Sequence, residues 1–323
     1  MADLDAAIEH YRDLGWRIDR ISPADDPREV DMSGAAGLLR LRRDASAGAD
    51  HVDPSAAGLE VVPENDDSVT VPALADELVI SLRSEATGFG AGRAGMGYRD
   101  LIPSRLGGRF IASHIRIDDA GPVPDYAHYH HIRFQMIFCR SGWVRVVYED
   151  QGDPFVLEAG DCVLQPPGIR HRVLESSEGL EVVEIGCPAE HDTYADHDIT
   201  LPTGRIAPDR DFGGQRFVRH VAAAATWESW GDGAAVCRDL GIGAATTGLA
   251  GARVVRGEEA SAADLSHDGE FRFLFVLEGV LGLRVGDRTQ TLGRDDSVTL
   301  PSGEPIEGHF DAGTELLEVT LPA

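Results

Sequence analysis

Lysine is absent from this chain of 323 residues: all 29 basic side chains are arginine, set against 55 Asp and Glu. The formal net charge of −26 repels phosphate backbones and anionic lipid, so neither nucleic acid nor a membrane surface is expected as a partner. No apolar run approaches the roughly 18–20 residues that span a bilayer. The start, MADLDAAIEHYRDLGW, carries acidic residues where a secretory leader needs a basic and then an apolar stretch, so a cytoplasmic protein is expected. Cysteine is scarce. Cys139, Cys162, Cys187 and Cys237 form no CxxC pair, which argues for small buried hydrophobes over a redox or zinc site. The 42% hydrophobic content is nevertheless enough to bury a core, and it excludes global disorder.

What the chain does contain is an internal repeat. HYHHIRFQMIFCRSG (128–142) lies over LSHDGEFRFLFVLEG (265–279), matching Phe134 with Phe271, Phe138 with Phe275 and Gly142 with Gly279. GDCVLQPPGIRH (160–171) lies over DDSVTLPSGEPI (295–306), matching Asp161, Val163, Pro166 and Gly168 with Asp296, Val298, Pro301 and Gly303. EVVEIGCP (181–188) follows ELLEVTLP (315–322), and YRDLI (98–102) resembles CRDLG (237–241). The order is kept throughout, so a module of roughly 90 residues has been duplicated.

Each copy reads as β. RFIASHIRI, FQMIFC, WVRVVY and LEVVEIG are short branched or aromatic runs separated by Gly, Pro and Asp turns. Many short strands in so small a module predict a double-sheet jelly roll or small barrel. The fold expected is mainly β, two jelly-roll barrels in tandem (96–189 and 234–323) after a small mixed α/β region (1–95). Residues 190–233, rich in Asp, Gly and Pro, suit a linker packed over the barrels. In the first region, Leu4, Ile8, Tyr11 and Leu14 have helical spacing, followed by strand-like WRIDRI and then LLRLRR. With SPADDP as its turn, this run resembles part of a glyoxalase-type module. ASAGADHVDPSAAG (45–58) reads as a flexible loop.

Two motifs carry the chemistry. Gly121-PVPDYA-His128-Tyr-His130-HIRF-Gln135-MIFCRS-Gly142 resembles the first cupin motif, and Gly160-DCVLQ-Pro166-Pro-Gly168-IR-His171 resembles the second. The resemblance covers about 50 residues, and the repeat extends it to a bicupin. It implies one divalent metal held by His128, His130, Gln135 and His171. The spacing has its own logic: His128 and His130 are two apart on a strand and share a face, and convergent imidazoles suit a divalent first-row metal.

Gln135 departs from the Glu that most metal-binding cupins carry. An amide is neutral, so the metal keeps its full charge and acts as a stronger Lewis acid. Gentisate-type and hydroxynaphthoate-type bicupin dioxygenases hold Fe(II) by three His without a carboxylate, and they resemble this chain in length. Cupins with Gln beside HxH, such as an unsaturated-uronate isomerase and certain hydroxynitrile lyases, run non-oxidative chemistry. The expectations are therefore an Fe(II) dioxygenase first, then a Lewis-acid isomerase, lyase or hydrolase using Mn, Ni or Zn, then a non-catalytic metabolite-binding protein. The partner expected is a small oxygenated or carboxylated metabolite, and homodimerisation is expected from the resemblance to bicupins.

Around the motif, Arg133 shares the parity of Gln135 and is a candidate to fix a substrate carboxylate. His114 is a candidate proton carrier and Tyr126 a candidate at the mouth, each either a catalytic residue or a packing residue. His131 has the opposite parity and is expected on the outer face. Arg105 and Arg109 either form an anion-binding rim or are surface residues. In the second copy Leu265, Arg272 and Ile306 replace His128, Gln135 and His171, and only His267 survives, so that barrel is expected to hold no metal.

Overall fold

The computed structural model describes residues 4–23, 27–43, 69–86, 88–91, 96–231 and 233–322. The loop expected at 45–58 and the middle of the SPADDP turn, residues 24–26, lie outside them.

Strand Phe134–Ser141 shows how period-2 alternation builds the molecule. Its one face presents Gln135 and Ile137 to a cavity, while its other buries Phe134, Met136 and Phe138 against the second half of the chain. It sits between Leu180–Cys187 and Cys162–Leu164 in a seven-stranded sheet that also contains Ile111–Ile117 and Gly97–Asp100. Opposite lies a nine-stranded sheet in which Trp143–Tyr148, His171–Ser176, His128–His130 and Thr193–Ala195 are neighbours. These two sheets are the first barrel.

The second half repeats the plan. Ala235–Asp239, Gly251–Gly257, Glu315–Leu321, Phe271–Glu278 and Ser297–Leu300 form one sheet; Ser261–Asp264, Ile306–Phe310, Leu281–Val285 and Arg288–Leu292 form the other. The repeated glycines occupy equivalent tight turns. Both adopt positive φ, and a Cβ would sit 2.3 Å from Ser177 Oγ at Gly142 and 2.7 Å from Thr314 Cα at Gly279.

The two seven-stranded sheets face each other across the largest core. Phe110 stacks on Phe271 with centroids 4.1 Å apart, and Phe134, Phe138, Phe273 and Phe275 are fully buried around them. Each such ring contributes about 1.5–3 kcal/mol of burial. Arg133 and Glu270, equivalent positions of the repeat, meet here as a bidentate pair, as equivalent positions do around a two-fold axis.

The flanking regions are woven into the barrels. Helix Leu4–Asp13 buries Leu4 and Tyr11, while Leu14 is 60% exposed because the helix has already ended. Strands Arg17–Ser22, Glu29–Gly34 and Gly37–Arg42 extend the nine-stranded sheet through Thr193–Ala195. Val79–Ser81 joins the second barrel beside Ser297–Leu300. The stretch expected as a linker supplies Val218–His220 to the first barrel and Glu228–Trp230 to the second. No helix among the described residues is long and apolar enough to cross a membrane.

Candidate metal centre

His128 and His130 project from one face of their short strand, and His171 starts the neighbouring strand directly across from His128. One ring nitrogen of each lies within 4.8 Å of those of the other two, and all three side chains are buried. The Nδ1 atoms point outward: that of His128 lies 2.8 Å from the Tyr126 carbonyl, that of His171 3.0 Å from the Ile169 carbonyl and that of His130 3.2 Å from the Asp192 carbonyl. A carbonyl oxygen only accepts, so each ring carries a proton on Nδ1, and Nε2 is the atom that each neutral ring offers to a ligand. Backbone carbonyls orienting imidazoles in this way are the usual support of metal-binding histidines.

Gln135 reaches the same cavity from the opposite sheet. Its Nε2 donates to Glu184 Oε1 at 2.5 Å, while its buried Oε1 has no hydrogen-bond partner among the described residues. A buried amide oxygen without a donor costs about 1–3 kcal/mol, and a divalent cation beside the imidazoles would satisfy it. The donor set therefore fits a first-row metal: three neutral imidazoles and one amide oxygen.

The cavity encloses about 100 Å³ and is walled chiefly by aliphatic side chains such as Ile115, Ile117, Val144, Val146, Leu157 and Val182. Its other polar groups are Tyr98, Tyr148, Gln165 and Glu184. Burial pushes the Tyr148 phenol above its ordinary range, so it stays protonated and donates to Gln165 Oε1 while its ring stacks on His171. Sequence reasoning missed Glu184 and Tyr148, although Glu184 falls on Glu318 in the aligned repeat.

Three expected neighbours lie elsewhere. Arg133 precedes its strand, where no ladder constrains its direction, and its guanidinium forms both bonds to Glu270, at 2.7 and 3.0 Å. It does not line the cavity, so the carboxylate it holds belongs to the protein. His114 occupies the opposite face of its strand from Ile115 and Ile117, with Arg99 and Glu181 at its two ring nitrogens and its edge against Phe275. Tyr126 packs edge-on against His128, with ring centroids 5.8 Å apart, and contributes its carbonyl, not a lining side chain. His131 lies outside the cavity against Tyr129 and Tyr194; Arg105 pairs with Asp100 and Arg109 with Glu270.

The second barrel has no such cluster among the described residues. Leu265 and Ile306 fill its core, and His267 Nε2 donates to the Leu300 carbonyl. Arg272, at the Gln135 position, is tied to Glu318, with Nε 2.8 Å from Oε1, and to the carbonyls of Leu265 and Ser266. Cys139, Cys162 and Cys187 are buried and Cys237 is partly so. Burial pushes the Cys139 thiol up to about 12, which leaves it inert.

Comparison with known proteins agrees with this fold. A model of the cupin domain matches residues 117–186 and 253–317. No curated protein matches the sequence. Among solved structures, salicylate 1,2-dioxygenase from Pseudaminobacter salicylatoxidans is similar with a TM-score of 0.56 and 15% identity, over 77% of this chain and 86% of that one. A putative glyoxylate induced protein from Pseudomonas aeruginosa gives 0.55 and 12%, over 81% and 96%. Oxalate decarboxylase from Bacillus subtilis gives 0.53 and 14%, over 81% and 78%. At these identities the likeness is one of fold.

Proposed function

Two cupin domains in tandem make this chain a bicupin, and from that premise we propose that it is a metal-dependent enzyme acting on a small oxygen-bearing molecule, an Fe(II) dioxygenase in the first instance. The observation that carries this reading is the buried trio His128, His130 and His171, each held by a backbone carbonyl, with Gln135 lining the same cavity and its buried oxygen unpartnered among the described residues. One divalent ion per chain is proposed, in the first barrel.

The metal, when bound, supplies a Lewis-acidic and redox-active centre for substrate oxygens. The protein's own residues do the rest. The three imidazoles and Gln135 hold the ion from two facing sheets, which favours rigid placement. Tyr148 buttresses His171 and stays protonated. The aliphatic wall excludes water and so strengthens every charge interaction inside. His114 and Tyr126, the proton carriers expected from the sequence, do not line the cavity, so neither serves proton transfer there. One observation favours the Lewis-acid alternative, with Mn, Ni or Zn: Glu184 places a carboxylate in the cavity, where it is able to take or return a substrate proton.

Elemental analysis of protein purified without oxygen tests the reading. We expect about one equivalent of iron, lost in His128→Ala and in His171→Ala, and oxygen uptake with small phenolic compounds. One equivalent of zinc, nickel or manganese, with turnover in the absence of oxygen, moves the assignment to the Lewis-acid reading. Wild type that takes up no metal overturns both.

A further inference from the structure

Glu184 is the carboxylate of a cavity whose other polar side chains are imidazoles, amides and phenols. Among the described residues no arginine lines that cavity, and the carboxylate accepts a hydrogen bond from the Gln135 amide, itself uncharged. The duplicated barrel supplies an internal control. There the equivalent carboxylate, Glu318, is neutralised by Arg272, the residue at the Gln135 position, and by Arg253. Register confirms the equivalence: Glu184 pairs with Ile137 as Glu318 pairs with Leu274, two residues beyond Gln135 and Arg272 respectively. Where the imidazole trio has been lost, a guanidinium is built in beside the carboxylate. Where the trio is kept, the balancing cation is missing from the protein.

We propose that Gln135 and Glu184 act as a split ligand: Glu184 is a positioning residue that fixes the Gln135 amide with Oε1 toward the imidazoles and supplies, from one residue further out, the negative charge of a ligating carboxylate. An ionised carboxylate only accepts, so it must face the amide nitrogen, and the amide oxygen is then turned to the metal side. The hydrogen bond to an anion also polarises the amide and makes its oxygen a better donor to a cation. A divalent ion held by neutral groups alone would keep both its charges; with Glu184 one amide away, one of them is cancelled. The expectation that a neutral Gln leaves the metal fully charged is revised accordingly. This inference rests on the metal-binding reading above, and its test separates the two.

The full-length chain, stripped of metal, is titrated with Co(II) without oxygen, following affinity and the visible ligand-field spectrum. Glu184→Leu removes the acceptor; Glu184→Gln puts an amide there that both donates and accepts, so the orientation of Gln135 is no longer unique. Each is expected to weaken cobalt binding about 10–100-fold and to change the spectrum. The thermal stability of the metal-free Glu184→Gln protein is expected not to fall, because no cation balances the carboxylate it loses. The exchange Gln135→Glu/Glu184→Gln, which keeps both the charge and the hydrogen bond, is expected to recover most of the affinity. Cobalt lost in His128→Ala but bound normally, with an unchanged spectrum, in Glu184→Gln overturns this inference and leaves the metal site standing. Metal-free stability that falls in step with affinity makes Glu184 a plain structural residue and overturns it too. Cobalt bound equally well by His128→Ala overturns the metal site and the split ligand together.

Discussion

Arg133 illustrates how one residue's role depends on whether it lies inside a ladder. Strand alternation would aim it into the barrel with Gln135, but it stands one residue before the strand begins and swings to the opposite barrel. There Glu270 accepts from Arg133 and from Arg109. Burial alone would raise the Glu270 carboxyl, yet these bonds hold it below its ordinary value. Arg133→Ala is expected to lower stability by about 1–3 kcal/mol, the cost of losing hydrogen bonds to a partly buried charge. Urea unfolding reads that loss, and metal content is expected to stay at the wild-type level. A loss of metal without a loss of stability would return Arg133 to the site.

Among the elements, strands Phe134–Ser141 and Phe271–Glu278 share a plan and differ in the polar residue each places on its interior face. Both place phenylalanines on the face between the barrels. On the interior face one carries Gln135 and the other Arg272, whose guanidinium is bound to a carboxylate that is itself only 2% exposed. Removing one partner of a buried pair costs far more than replacing both by apolar groups. Arg272→Leu is thus expected to cost about 3–5 kcal/mol, whereas Arg272→Leu/Glu318→Leu costs much less, as judged by denaturant midpoints of the two variants. Equal losses would mean that the pair carries no charge penalty and that barrel 2 is held by packing alone.

At the scale of the whole molecule, three of the carboxylates with lowered pKa lie at the joint between the barrels and in the second core. Glu181 is held down chiefly by its bond to His114, and Glu318 and Glu270 by arginines that outweigh the opposing effect of burial. The ordinary value for all three is 4.5. A depressed folded pKa means that this stability is fully present above the ordinary value and is lost as pH falls through the folded one. Urea midpoints should therefore hold steady between about pH 5 and 7 and decline below about 4.5. Glu270→Gln should flatten that decline while lowering stability at neutral pH. A midpoint already falling between pH 7 and 5 would assign the acid sensitivity to other groups.

The repeat, the short strands and the two histidine motifs were readable in the amino-acid sequence, because residue period and motif spacing are local properties of a chain. His128, His130, Gln135 and His171 line one cavity, and the positions of the second barrel that match His128, Gln135 and His171 carry Leu265, Arg272 and Ile306. Whatever depended on which face meets which neighbour was settled only by packing. His114 and Arg133 face the joint between barrels, strands from the flanking regions complete both sheets, and Glu184 meets Gln135 across paired strands 49 residues apart. Alternation says that two faces exist; it does not say which is the cavity, since both faces of these strands are buried, one in a barrel and the other between barrels.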